Sequence, residues 1–509
     1  MKSEKIFGKG SITLIAICIA ALMFGLEISS VPVILPILEK VLQGNLKDMQ
    51  WIMNAYTLAC TTIPMAAGTL ADRFGRKFIF IITLIAFGLT SLFCGFAVSP
   101  TMLIAARFLQ GMSGGAMLIC QIAILSFQFQ GKKERSRAFA VWGIVFGTGL
   151  GFGPIIGGAI VSLANWQWVF LVHVPLTIVA LLLVTYSVRE SSNPNAKKLD
   201  LPGILTLSVA VFGLIFYIMQ GEELGFTSLV GLLIISVSAI SFVLFLIVEK
   251  YNENPMFDFS VFKIRNFSGA ILGSIGMNFS FWPLMIYLPI YFQIYLGYNI
   301  VNAGLALLAY TLPTLLIPPL AERLSLKYQP RIIIPSGLFI IGLGFILMMV
   351  GCSVRQPSWL TMLPGSLLAG IGLGLTNTPV TNTITGSVSD NRVGMASGID
   401  MSARLITLAI NIALMGFLLQ EGTLSYLKRT LTNVSGQFSL ESLAEKITSD
   451  SISTLKQNFP QLSYLDSSGT IVHEALNNGF ANIMLYGGIG VWILALLSFM
   501  IFGSGKSIR

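Results

Sequence analysis

The stretch GTLADRFGRK (68–77) sets Asp72, Arg73, Arg76 and Lys77 between two long apolar runs. Charged residues make up only 10% of this 509-residue chain, against 54% hydrophobic residues, and the mean hydropathy is +0.81. A soluble domain of this length needs far more charge to cover its surface. Charge gathered into a short link between apolar runs therefore reads as a loop at a membrane face. The fold class is all-α integral membrane. The net charge of +9 would suggest nucleic acid in a soluble protein. Here the basic residues fall in short loops, which points to membrane orientation and to no nucleic-acid partner.

A spanning helix needs about 20 apolar residues at roughly 1.5 Å each. Fourteen runs qualify, near 11–38, 49–70, 78–98, 102–126, 136–161, 167–188, 201–220, 229–248, 268–296, 302–322, 331–350, 359–384, 394–419 and 480–503. The first is too long for a signal peptide and lacks a small-residue cleavage site, so it is expected to stay as span 1. Basic residues alternate from loop to loop. Lys2, Lys5 and Lys9 precede span 1, and Arg73, Arg76 and Lys77 follow span 2. Lys132, Lys133, Arg135 and Arg137 follow span 4, and Arg323, Lys327 and Arg331 follow span 10. By the positive-inside rule both termini are expected in the cytoplasm, with the chain in the cell's inner (cytoplasmic) membrane. The polar segment 420–479 then lies outside, where SLESLAEKI suggests a short amphipathic helix in an ordered hairpin or lid.

The chain also echoes itself at offsets near 250–260 residues. LADR (70–73) returns as LAER (320–323), ARFLQGMSGGAM (106–117) as GSLLAGIGLGLT (365–376), and ERSRAFAVWGI (134–144) as NRVGMASGIDM (391–401). Duplicated halves are common in transporters. The expected organisation is a six-helix bundle over 1–190, an inserted span pair over 191–265, and a second six-helix bundle over 266–509.

The physics of the 68–77 pattern is readable. Asp72 ends span 2, where a carboxylate can accept hydrogen bonds from the N-terminus of a neighbouring helix. Gly68 admits a close helix, and Gly75 permits a tight turn. Such charge contacts can form in one conformation and break in another. The GTLADRFGRK block resembles the signature of the major facilitator superfamily between spans 2 and 3. RFLQGMSGG looks like its span 4 motif, whose arginine corresponds to Arg107, and GLGFGPIIGG (149–158) is similar to its span 5 antiporter motif. Fourteen spans and a long loop before the last resemble the drug:proton antiporter branch, of multidrug efflux type. LEISSVPVILPIL (26–38) resembles that branch's span 1 motif, with Glu27 where aspartate is usual.

Span 5 carries two glycine series at four-residue spacing, Gly143, Gly147 and Gly151 beside Gly149, Gly153 and Gly157. That spacing stacks small residues on one face, so a second backbone can come close. Pro154 removes a donor and can bend the helix. With Gly158, the series 149–157 is expected to join the 68–77 block in conformational gating. Tight packing without motion is the plainer reading.

Charges inside apolar runs cost at least about 2.5–3.5 kcal/mol each at the bilayer centre. Glu27 lies midway along span 1, Arg107 in span 4, and Asp400 and Arg404 one turn apart in span 13. An unpaired buried carboxylate can exchange protons near neutral pH. Glu27 is the expected coupling group, with Arg107 as partner or relay. Asp400 and Arg404 are either a second coupling pair or a neutralised structural one. Trp51, Asn54, Tyr56, Gln121, Asn278, Trp282 and Tyr287 are candidates for a substrate cavity, although aromatic residues often sit at the interface belt. His173 stands where the resembled family commonly has asparagine, and a packing hydrogen bond is expected of it.

No G-x-x-x-x-G-K-[ST] loop, nucleophile–base set or metal spacing occurs in the sequence, so neither ATP drive, catalysis nor a cofactor is expected. Cys18, Cys60, Cys94, Cys120 and Cys352 lie in apolar runs and read as packing residues. The expected function is proton-coupled export of drugs or other small amphipathic compounds by alternating access, with lipophilic cations suited to the acids Glu27 and Asp400. The alternatives are a proton symporter for a nutrient or siderophore, disfavoured by the span 5 motif, and a non-transporting receptor on the same fold.

Overall fold

The computed structural model describes residues 3–44, 46–191, 200–225, 227–252, 258–298, 300–354, 356–389, 392–431, 439–449, 466 and 469–503. Among them the chain is helical throughout, with no strand. Backbone donors and acceptors inside a bilayer have no water to bond, and helices satisfy them within the segment. The helices in order are α1 (Ser3–Val41), α2 (Leu46–Thr62), α3 (Pro64–Phe74), α4 (Arg76–Gly95), α5 (Pro100–Gln128), α6 (Lys132–Leu163), α7 (Gln167–Leu171) and α8 (His173–Ser187). After them come α9 (Leu201–Leu224), α10 (Leu229–Tyr251), α11 (Arg265–Asn278), α12 (Phe281–Ile290), α13 (Ile300–Leu316) and α14 (Pro318–Tyr328). The last are α15 (Pro330–Cys352), α16 (Trp359–Gly386), α17 (Val393–Thr430), α18 (Leu440–Ser449) and α19 (Thr470–Phe502).

Thirteen helical segments among the described residues are long and apolar enough to cross a membrane. The fourteenth run is the α2–α3 pair, broken at Pro64, which has no N–H to continue the ladder. The hydroxyls of Thr61 and Thr62 both bond back to the Leu58 carbonyl just before the break, at 2.7 and 2.8 Å. Neither piece spans alone, and together they fill the place of span 2. The outer surface is apolar in the manner of a lipid-facing protein: Leu182, Leu229, Ile240 and Phe499 are all exposed.

The apolar core is divided. One cluster joins α1 to α6 and α8 around Phe80, Phe87 and Phe139 and takes in Met401, Leu405 and Leu408 of α17, and another joins α11 to α13 and α15 to α19 around Tyr291, Phe345 and Phe480. Helices α9 and α10 pack on each other. Ser238 of α10 donates to the Ala210 carbonyl of α9 at 2.6 Å, and a Cβ on Gly213 would press on Ser238.

The polar segment 420–479 is shorter as a loop than its composition suggests. Helix α17 continues to Thr430 and α19 begins at Thr470. Within it, α18 buries Leu443, Ala444 and Ile447 against Leu424, Leu427 and Val472, so its apolar stripe is used by the second bundle. Residues 432–438, 450–465, 467 and 468 lie outside the described residues.

Candidate functional site

Two buried charge clusters and one latch carry the chemistry. The first cluster lies inside the first bundle. Glu27 of α1, Arg107 of α5 and His173 at the start of α8 are all completely buried. Arg107 Nη1 donates to Glu27 Oε1 and, at 2.8 Å, to Gln110 Oε1. Its Nε donates to the Ile52 carbonyl at 3.2 Å, and its guanidinium lies over the Tyr56 ring, 4.2 Å from the centroid. Gln110 Nε2 in turn donates to Ser91 at 2.8 Å. On the other carboxylate oxygen, His173 Nε2 approaches Glu27 Oε2 to 2.8 Å, off the angle of a hydrogen bond.

Glu27 is therefore not the unpaired carboxylate that span 1 alone suggests. Its countercharge comes from span 4, eighty positions along the chain, which no reading within one helix can supply. Nor is His173 a packing residue remote from charge. The signal for it was its rarity, one of two histidines in the chain, and its place within a span.

The second cluster lies in α17 and its neighbours. Arg404 donates to both oxygens of Asp400, at 2.9 and 3.0 Å, one helical turn away. It also donates to Asn377 Oδ1 at 2.8 Å and Thr381 Oγ1 at 2.7 Å on α16, and Ser274 of α11 donates to Asp400. Both acids that seemed suited to attract a lipophilic cation are thus each matched by an arginine.

The latch lies at the end of the bundles that carries residues 68–77. Asp72 accepts from Arg76 at 3.1 and 2.9 Å, and from the backbone N–H groups of Gly394 (3.2 Å) and Met395 (3.1 Å). Those are first-turn donors of α17, free because a helix cannot satisfy its own first N–H groups. A Cβ on Gly68 would run into the Gly394 carbonyl, and one on Gly394 into Asp72. Both glycines are the condition for contact between the bundles. Gly75 adopts φ +111°, and a Cβ there would strike Glu190. Glu190 caps α4 by accepting from the N–H groups of Lys77 (3.1 Å) and Phe78 (3.0 Å), a role the sequence did not disclose. Lys77 Nζ donates to the Thr185 carbonyl at 2.8 Å, and Arg73 lies over the Phe74 ring.

The repeated motif makes the opposite connection. Glu322 of LAER accepts from Ser136 of α6 at 2.7 Å, and Arg135 bridges Ser126 and Thr385. Each bundle thus presents an acid from its LAxR segment to a helix start in the other.

The two glycine series of α6 face different ways. Gly149, Gly153 and Gly157 meet Leu22, Ser29 and Ser30 of α1 within the same bundle, and Ser29 donates to the Gly149 carbonyl at 3.0 Å. Gly143, Gly147 and Gly151 look toward Thr378, Leu315 and Thr311 of the other bundle, at 3.6 to 3.9 Å from a notional Cβ. A Cβ on Gly158 meets nothing within 4 Å. The face turned to the other bundle is therefore 143–151, while 149–157 packs α6 on α1. Pro154 sits inside α6 without ending it.

The cavity candidates scatter. Trp51 packs on Phe216 of α9, at 5.8 Å between ring centroids. Gln121 accepts from Trp142 at 2.9 Å, Asn278 donates to the Ser274 carbonyl at 2.9 Å, and Tyr287 donates to the Ile412 carbonyl at 2.7 Å. Asn54 is half-buried, and Trp282 of α12 packs on the first bundle's core. Of these seven, Trp282 reaches across the bundles and Tyr56 touches the charge cluster.

Paired bundles latched through an acid on a helix start are matched by a known family: residues 17–410 fit the Major Facilitator Superfamily. The chain belongs to that superfamily. It is a multi-pass membrane protein of a family that transports small molecules. It is 31% identical over 408 residues to the multidrug resistance protein Stp of Mycobacterium tuberculosis, covering 80% of this chain and 75% of Stp. It is 30% identical over 418 residues to the puromycin resistance protein pur8 of Streptomyces alboniger, covering 81% and 82%. To the quinolone resistance protein NorB of Staphylococcus aureus (strain MRSA252) it is 28% identical over 425 residues, covering 81% and 89%. Among solved structures, the human organic anion transporter MFSD10 (TETRAN) superposes with a TM-score of 0.63 at 13% identity, over 97% of this chain and 99% of that one. The proton:xylose symporter XylE gives 0.60 at 14%, over 98% and 96%. At such identities these two likenesses speak for the superfamily fold alone.

Proposed function

We propose that the protein is a proton-coupled antiporter that exports amphipathic drugs or similar small compounds across the cytoplasmic membrane. Both termini then lie on the cytoplasmic side, a placement that the distribution of basic loops supports. The observation that carries the reading is the completely buried Glu27–Arg107–His173 cluster. Ionisable groups at membrane depth are costly and are kept where ions or protons pass. The names of the relatives, resistance proteins for several drugs, for quinolones and for puromycin, support the outward direction and the substrate class. The Asp72 latch then closes the cytoplasmic side in this conformation, and releasing it opens the inward-facing one. Neutralised acids leave the substrate's charge open, so recognition is not confined to cations.

The test is reconstitution of the full chain in proteoliposomes under an imposed pH gradient, with puromycin and a fluoroquinolone as probes. Compound should move against the proton flow, and Glu27→Gln should abolish that movement in a folded protein. Cotransport with protons would instead establish uptake, and undiminished export by Glu27→Gln would remove Glu27 from coupling.

A further inference from the structure

We infer that the exchanged proton is carried on the imidazole of His173, held against Glu27 Oε2, and not by a free Glu27 carboxylate. This deepens the antiport reading above and rests on it for the direction of transport. The proton-binding site itself stands on the geometry.

Arg107 and Glu27 neutralise one another, so the pair is tolerated at membrane depth without a proton. One carboxylate oxygen is committed to Arg107; the other, Oε2, has no hydrogen bond among the described residues. His173 Nε2 is the polar atom facing it, 2.8 Å away. Both imidazole nitrogens are buried without a hydrogen bond, and the ring stands edge-on to Phe87 at 5.6 Å between centroids. A neutral ring sets only a dipole beside the carboxylate, whichever nitrogen carries its hydrogen; a second ring proton makes it an imidazolium 2.8 Å from Oε2, an ion pair.

The titratable and charged groups around the ring come from several helices. From α1 comes Glu27, from α5 Arg107, from α2 Tyr56 beneath the guanidinium, and from α4 Cys94, whose thiol donates to Gln110 at 3.5 Å. Among side chains, imidazole is the type whose unperturbed titration falls between about pH 5 and 8. The cycle balances simply. The cluster is neutral when empty and carries one positive charge when the ring holds a proton on both nitrogens. It returns to neutral when that proton leaves on the other side of the membrane.

The small number of histidines makes the test direct. The purified full chain, labelled with ¹⁵N-histidine, holds two imidazoles, His173 and His473, and His473→Gln assigns them. The His173 nitrogens are expected to change from neutral to imidazolium shifts as the pH is lowered, and that change to be altered in Glu27→Gln. In proteoliposomes, His173→Gln keeps an amide donor near Nε2 but cannot titrate. It should lose pH-gradient-driven puromycin movement while keeping puromycin counterflow between pools at equal pH. A His173 ring that stays neutral throughout, or gradient-driven movement in His173→Gln with the wild-type pH profile, overturns the assignment. If Glu27→Gln alone abolishes coupling, the antiport reading stands and the histidine carrier falls. If wild type moves neither probe drug but His173 titrates with Glu27, the proton site stands and the export reading falls.

Discussion

Asp72→Asn should unlatch the bundles, and the structure sets the size of the effect. The Asp72 carboxylate accepts from two backbone donors of the other bundle, Gly394 at 3.2 Å and Met395 at 3.1 Å. Hydrogen bonds to a charged group contribute about 1.5–3 kcal/mol, and a carboxylate at a partly buried helix start adds up to about 2 kcal/mol. Asparagine keeps one acceptor but loses the charge, and turns an NH₂ toward the second donor. A loss of about 2–3 kcal/mol follows, specific to the latched state. At tenfold per 1.4 kcal/mol, the latched-to-open ratio falls by about 30- to 150-fold. The Arg76 contact lies within the same segment as Asp72, so its loss should appear in overall stability and leave this ratio alone. The assay is spin-label distance measurement between Phe78→Cys and Tyr328→Cys, exposed positions of the two bundles at the latched end. The wild type should show one short distance and the variant a population of longer ones. A folded Asp72→Asn protein with the wild-type distance distribution would refute the latch as an energetic element.

Three further outcomes follow from the same geometry. Gly149→Ala places a methyl within 2.9 Å of the Leu22 carbonyl and should cost about 1–3 kcal/mol of stability by thermal unfolding, whereas Gly158→Ala should be neutral. If both behave alike, the packing of α6 on α1 is misread. Arg404→Leu leaves Asp400 buried without its countercharge and should destabilise by about 3–5 kcal/mol; adding Asp400→Leu should recover much of it. A double variant no more stable than the single would contradict a neutralised pair. Asp258, in the loop before α11, pairs with Arg392. Partial burial pushes its carboxyl up, but hydrogen bonds from Ser260 and the charge of Arg392 prevail and hold it below the usual range. A lowered folded value means stabilisation present above the ordinary value of about 3.9 and lost as pH falls through the folded one. Asp258→Asn should therefore destabilise by no more than about 1 kcal/mol at pH 6, with the difference shrinking as the pH falls below about 3.9. A difference that persists in acid would assign the effect to something other than charge.

Hydropathy and charge spacing carried most of the architecture. An apolar run of spanning length has few alternatives in lipid, because its backbone must bond to itself. The all-helical fold, the loop alternation and the family were therefore legible along the chain. The break at Pro64 was less so. Nothing in a hydropathy window separates one helix of span 2 from two stacked ones, and the polar stretch after 420 concealed the long helical ends of α17 and α19.

The candidate site was legible as residues and not as partners. Asp400 and Arg404 could be paired from sequence because one turn of one helix joins them. Glu27 could not be, since Arg107 and His173 come from α5 and α8 and only packing brings three helices to one point. The two glycine series of α6 share a spacing, and the tertiary fold decides which meets α1 and which faces the other bundle. Short-range periodicity fixes what a segment becomes and which of its faces exist. The partner of each face depends on contacts between distant segments, and the charge state of a buried group depends on that partner.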